Sequence, residues 1–379
     1  MGWRMGRHGV PITGWPGGSV AAMAAVLASA YHGPPELTAA RAFTSWTLDL
    51  PVLLVVLLAG GLYLAGMRTA GRSGPPWPAR RAVAFCAGGL AAVAVATMSF
   101  VGVYQSTLFY ARAVQTILLL LVAPLFLALG RPLSLVMATR PKLGPRLAAA
   151  VRSRSARVLT FPAISTLVLV VVPFVLYFSP WYAAGLHSDV VRELTYLALM
   201  APGFVFFWTL LRVDPVPKAY PYLVTLWVTG AEVVGDAILG LAVIADQHLI
   251  AGAYYHALAR PWGPGPATDQ VLGGGALWVL GDIVGLPFLA AQLIQMIRED
   301  EAEAEVIDAE LDAEEAARAR PAGHAVGAEP AVGAGPAETL AGPGADHADQ
   351  GKPAAGSVPW WESDPRFADR FRSAGDHPA

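Results

Sequence analysis

Charge is scarce in this sequence. Asp, Glu, Lys and Arg make up only 14% of its 379 residues, against about 25% in a soluble domain. Many of the acids sit together after Arg298, so the rest of the chain is poorer still. Cysteine is rarer: Cys86 stands alone, inside an apolar run, which excludes a disulfide framework and a CxxC-type metal site. There is no phosphate-binding glycine loop, no internal repeat, and nothing resembling a catalytic triad or a metal-hydrolase motif. No enzyme activity is therefore expected. The basic residues fall between apolar runs, a placement that topology explains without any nucleic-acid partner.

Apolar runs are what the chain has in abundance. It is 55% hydrophobic with a mean hydropathy of +0.49. Runs near 50–67, 82–104, 113–130, 160–178, 194–211, 221–245 and 272–297 each approach the ~20 residues that a helix needs to cross the hydrocarbon. The expected fold is all-α, a polytopic membrane bundle of seven or eight transmembrane helices whose solvent is the lipid bilayer. Residues 1–31 hold Arg4, Arg7, a short apolar core at 20–27 and Ala28-Ser29-Ala30, which reads equally as a signal peptide or as a weak first span. The multi-pass domain is expected over 32–298. Loops following 67, 130 and 211 carry thirteen Lys and Arg, and the alternate loops carry four: Arg41, Arg112, Arg192 and Arg260. That asymmetry places the rich loops and the C-terminus in the cytoplasm. Heavy use of Ala, Gly, Pro and Arg suggests a bacterial genome, hence a bacterial plasma membrane. Residues 299–379 form a tail: an Ala/Glu-rich solvated helix over 299–320, then a stretch too poor in apolar bulk to fold, closed by Trp360-Trp361, a candidate docking segment.

The segment 230–292 is the most distinctive. Glu232 and Asp236 lie four residues apart and share a helix face, which Ala231 and Gly235 are expected to share too. Asp282 lies in the next run, on a stripe with Gly275, Trp278 and Leu289, where a bond to the Trp278 indole is the plain structural reading. Carboxylates inside a bilayer are costly and need a partner or a role. A proton path, a cation site or helix–helix hydrogen bonding all satisfy that need, and the three acids together are expected to line one interior. They motivate an alternative function, a proton- or cation-coupled transporter, against which the lack of paired inverted halves weighs. His187, His248 and His256 fall in loops assigned to the outer side. With Met98 or Met200 they offer imidazole and thioether donors suited to Cu(I), although isolated loop histidines are usually just solvated.

Three stretches resemble the CtaG-type cytochrome c oxidase assembly factors of actinobacteria and related bacteria: 108–135, 181–208 and 260–287. The last carries Asp269-Gln270, Gly273-Gly274-Gly275, Trp278 and Gly281-Asp282, similar to the family's DQ-GG-W-GD pattern. The resemblance covers roughly 32–300. It implies a helper in maturing respiratory oxidase, a scaffold or a copper-related factor, with oxidase subunits as partners and copper as the possible cofactor. Two departures bear on that metal. Where the family usually has His-x-x-Gln-His, the chain has Arg112 to Thr116 and keeps only Gln115. Where a His-Glu-x-x-His-like pattern is expected, it has Arg192 to Tyr196 and keeps only Glu193. The chain thus looks like a divergent member that has lost the best copper ligands.

Overall fold

A computed structural model describes residues 31–73, 76–140, 142–218 and 220–319. Residues 1–30 of the signal-or-span segment, the low-complexity tail and Trp360-Trp361 lie outside these residues. The chain divides into two compact units, Met1–Glu314 and Glu315–Ala379.

Among the described residues every regular element is helical. A short α1 (Ala39–Thr44) leads to α2 (Leu50–Ser73). The span Ala79–Tyr104 is α3, and Phe109–Thr139 is α4. Two short helices, α5 (Gly144–Val151) and α6 (Arg154–Leu159), follow. Next come α7 (Pro162–Tyr177), α8 (Pro180–His187), α9 (Asp189–Leu211), α10 (Tyr222–Ala245), the short α11 (Gly252–Ala257) and the long α12 (Pro266–Ala319).

Six of these helices are long and apolar enough to cross a membrane: α2, α3, α4, α9, α10 and α12. The run at 160–178 yields only the 16 residues of α7 before Ser179 and Pro180 start α8 at a 68° bend. The Ser179 hydroxyl accepts from the Trp181 amide, and proline at the first helical position suits a new start rather than a continuation. Among the described residues the seven spans expected there are therefore six, or seven if the bent pair counts as one crossing; the eighth candidate, in the leader, lies outside them.

Burial ranks the spans. Over its membrane-length window α4 is 61% buried and α2 only 17%, so α4 is the central helix and α2 a peripheral one facing lipid. Leu119, Leu120 and Leu121 of α4 are buried completely or nearly so. Two helix starts within α4 are tied by distant aspartates, Asp269 in the first turn of α12 and Asp214 in the loop after α9. Asp269 accepts hydrogen bonds from the Phe109 and Tyr110 amides at 3.1 and 3.0 Å. At the second start Asp214 accepts from Leu133 and Ser134, just after Arg131 turns the chain through a left-handed conformation (φ 53°). Each carboxylate satisfies backbone N–H groups that a helix start leaves unpaired.

Helix starts move accordingly. The spans that begin as apolar runs at 113 and 194 start at Phe109 and Asp189, which puts Arg112 and Arg192 inside first turns rather than in loops.

Candidate functional site

The polar face of α10 comes from residues at helical spacing. Thr225, Thr229, Glu232 and Asp236 are all buried, at 3% exposure or less. Opposite them α12 presents Gly281, Gly285 and Gln292. The Gln292 amide donates to the Thr229 hydroxyl at 3.0 Å. A Cβ on Gly281 would stand 2.5 Å from Asp236 Oδ2, and one on Gly285 3.2 Å from Glu232 Oε2. Toward the end of α10, Gly240 and Gly274 face each other so closely that a Cβ on either would press on the other's carbonyl. Small residues thus let two helices meet backbone to backbone around a pair of acids.

Asp282 lies at the edge of that interior rather than on the buried face of α12, with its Oδ1 buried. The buried stripe of α12 is Gly274, Leu277, Gly281, Gly285, Phe288 and Gln292, whereas Gly275, Trp278, Asp282 and Leu289 lie on its more exposed flank. Asp282 borders a shallow groove with Trp278, Ile283, Leu286 and Pro287. Its Oδ1 has no hydrogen-bond partner, so the bond to the Trp278 indole does not form. It remains near enough to interact electrostatically with Glu232 and Asp236. Asp236 Oδ2 and Gln292 Oε1 are likewise buried without a partner. Ala231 also falls outside the acidic face: it is exposed, while Gly235 packs on Val170 of α7. One residue is about 100° of helix, enough to turn Ala231 away from Glu232. Chemically, this cluster is able to hold and exchange a proton or to bind one helix to another.

The DQ pair of the motif is structural in its contacts. Asp269 caps α4 and pairs with Arg260 Nη2 at 3.2 Å. Gln270 accepts from the Ile250 amide at 2.8 Å and donates to the carbonyls of Val243, Asp246 and His248. It thereby closes the C-terminal end of α10, where carbonyls lack helical partners. Gly273 gives room to the Phe109 ring. Gln115 donates to the Ala96 carbonyl at 2.8 Å, joining α4 to α3. Glu193 lies 3.8 Å from Arg192 and within hydrogen-bonding reach of the Asp49 carboxyl. Arg112 is buried at 3% exposure with its guanidinium 4.7 Å over the Tyr182 ring. Around it Tyr182 and Tyr255 share a hydroxyl–hydroxyl bond of 2.8 Å, and Tyr177 meets Thr116 at 3.0 Å. Asp214, an acid beside two prolines, did not stand out in the sequence.

The donor set does not fit copper. His187 and His256 are exposed, the first packed edge-on against Tyr254. His248 is 97% exposed and leans only on Asp246. Met98 is buried in the core and Met200 lies eleven residues into α9, about 16 Å below its start. Among the described residues no group of three or more His, Cys, Asp or Glu is arranged to hold a metal ion.

The chain is 27% identical over 280 residues to the uncharacterized protein Mb0105 of Mycobacterium bovis, covering 71% of this chain and 42% of that one. It is 26% identical over 275 residues to the uncharacterized protein ML1998 of Mycobacterium leprae, covering 70% and 41%. It thus spans about two fifths of the length of these relatives. No solved structure gives a significant match. The family model of the cytochrome c oxidase caa3 assembly factor matches residues 61–299, well over half of the sequence, and the chain belongs to that family.

Proposed function

We propose that this protein serves oxidase assembly as a non-catalytic membrane scaffold, holding an oxidase subunit during maturation rather than handing copper to it. The observation that carries the scaffold reading is the use made of Asp269 and Gln270. The most specific pair of the motif fastens the start of α4 and the end of α10, and both side chains are taken up by protein partners. The exposed, separate histidines support the same reading. A transporter built on Glu232, Asp236 and Asp282 gains no support from the family. In the proposed orientation the basic loops and the C-terminus face the cytoplasm of a bacterial plasma membrane, on the charge asymmetry of the loops.

Deleting the gene and measuring oxidase activity and haem spectra, with and without added copper, tests this. The scaffold reading expects loss of oxidase that copper does not restore. Restoration by copper would return the protein to metal supply, and an unaffected oxidase would remove it from assembly altogether.

A further inference from the structure

At the end of the bundle where α10 hands over to α12, the segment 249–266 folds over a cavity of about 330 Å³. Its walls include Phe109 at the start of α4, His256, Arg260, Trp262, and Asp269 and Gln270 at the start of α12. Two of the wall residues keep hydrogen-bond donors with no acceptor. Arg260 has a side chain only 8% exposed. Its Nη2 donates to the Pro264 carbonyl at 2.6 Å and to Asp269, but its Nη1 has no partner. Trp262 has its Nε1 buried with no acceptor in good hydrogen-bonding geometry; the Tyr31 hydroxyl lies close to it and donates to the Pro34 carbonyl. Buried donors without acceptors are rare in folded proteins because their lost hydration goes uncompensated.

The loop is built to keep those donors where they are. Ala259 sits at φ 46°, a left-handed conformation that costs a residue with a side chain energy and is found at ligand sites, and Gly263 at φ 72°, which glycine adopts freely. A Cβ at Gly263 would stand 2.8 Å from Arg260 Nη1. The guanidinium stacks on Trp262 at 4.9 Å, and the indole is wedged edge-on between Tyr31 and Tyr104.

The electrostatics select the sign of a ligand. The starts of α4 and α12 both lie in the cavity wall, each contributing about half a positive charge. Arg260 adds a full one and Asp269 removes it. The carbonyls at the end of α10 that would oppose this bias are taken up by the Gln270 amide. We propose that this cavity binds a carboxylate, whose two oxygens accept from Arg260 Nη1 and Trp262 Nε1. A free small acid and the C-terminal carboxylate of a peptide share that chemistry.

The test uses the full chain purified in detergent, with thermal stability read as sodium acetate replaces sodium chloride at fixed ionic strength. A tripeptide with a free carboxylate is run beside its C-terminal amide. The proposal expects a melting temperature that rises with acetate and saturates. Trp262→Phe, which keeps the ring and removes only the N–H, should weaken the apparent affinity about tenfold, as loss of one charge-assisted hydrogen bond predicts. A response to the free tripeptide exceeding that to acetate, and absent for the amide, identifies a peptide end as the ligand; equal responses identify a small acid. No acetate-dependent shift in the parent protein, or an unchanged affinity in Trp262→Phe, overturns the proposal.

Discussion

Gly281 of α12 and Asp236 of α10 are in contact because one of them has no side chain: a Cβ at Gly281 would lie 2.5 Å from Asp236 Oδ2. Gly275, six residues earlier on the same helix, has nothing within 4 Å of where its Cβ would be. The two glycines therefore separate packing from propensity. Gly281→Ala should lower stability in detergent by about 1–3 kcal/mol through overpacking, while Gly275→Ala should leave it unchanged or slightly raised. Thermal unfolding of both variants decides the matter, and equal effects would show that the two helices do not meet as described.

The Asp269 carboxylate serves two backbone amides and Arg260 together. Asp269→Ala should cost roughly 3–5 kcal/mol, since it uncaps α4 and strands a buried guanidinium. Asp269→Asn keeps an acceptor for the amides and should lose less. Unfolding midpoints would expose a wrong assignment if the two variants were equally damaged.

Glu232 and His248 stand at opposite extremes of exposure, 2% for the first and a 97% exposed side chain for the second. In cells lacking the native gene, His248→Ala should support normal oxidase levels, and Glu232→Gln should not. The purified chain should hold clearly less than one copper atom after brief dialysis. Near-stoichiometric copper that vanishes in a His248→Ala, His256→Ala double variant would restore a metal role.

Orientation is open to direct labelling. In a Cys86→Ala background, Lys142→Cys and Ala267→Cys should react with an impermeant thiol reagent from opposite sides of intact cells, the first only after permeabilisation. Reaction of both without permeabilisation would overturn the cytoplasmic placement of the basic loops.

The spans were legible because twenty apolar residues in a row have few other uses. Their starts were not, because Phe109 and Tyr110 are held helical by Asp269, which no local pattern connects to them. The face of α12 was misread for a different reason. A helix apolar all round has little directional signal, so the stripe through Gly275, Trp278 and Asp282 looked as good as the true one through Gly274, Leu277 and Gly281. On α10 the acids themselves marked the buried face, and Glu232 and Asp236 were placed correctly. The histidines were found as residues, but chain spacing does not say whether exposed loops converge.

The bond between Asp269 and Phe109 also sets a schedule for biogenesis. The two residues are 160 positions apart, and a ribosome making about 5–20 residues per second needs roughly 8–32 s to cover that distance. Throughout that interval the central helix is already made while the carboxylate that closes its first turn is not. Water, lipid headgroups or the insertion machinery must satisfy those amides in the meantime. The span that carries Asp269 thus arrives as the latch on the most buried helix, and a nascent chain cut short before residue 269 carries an unlatched centre.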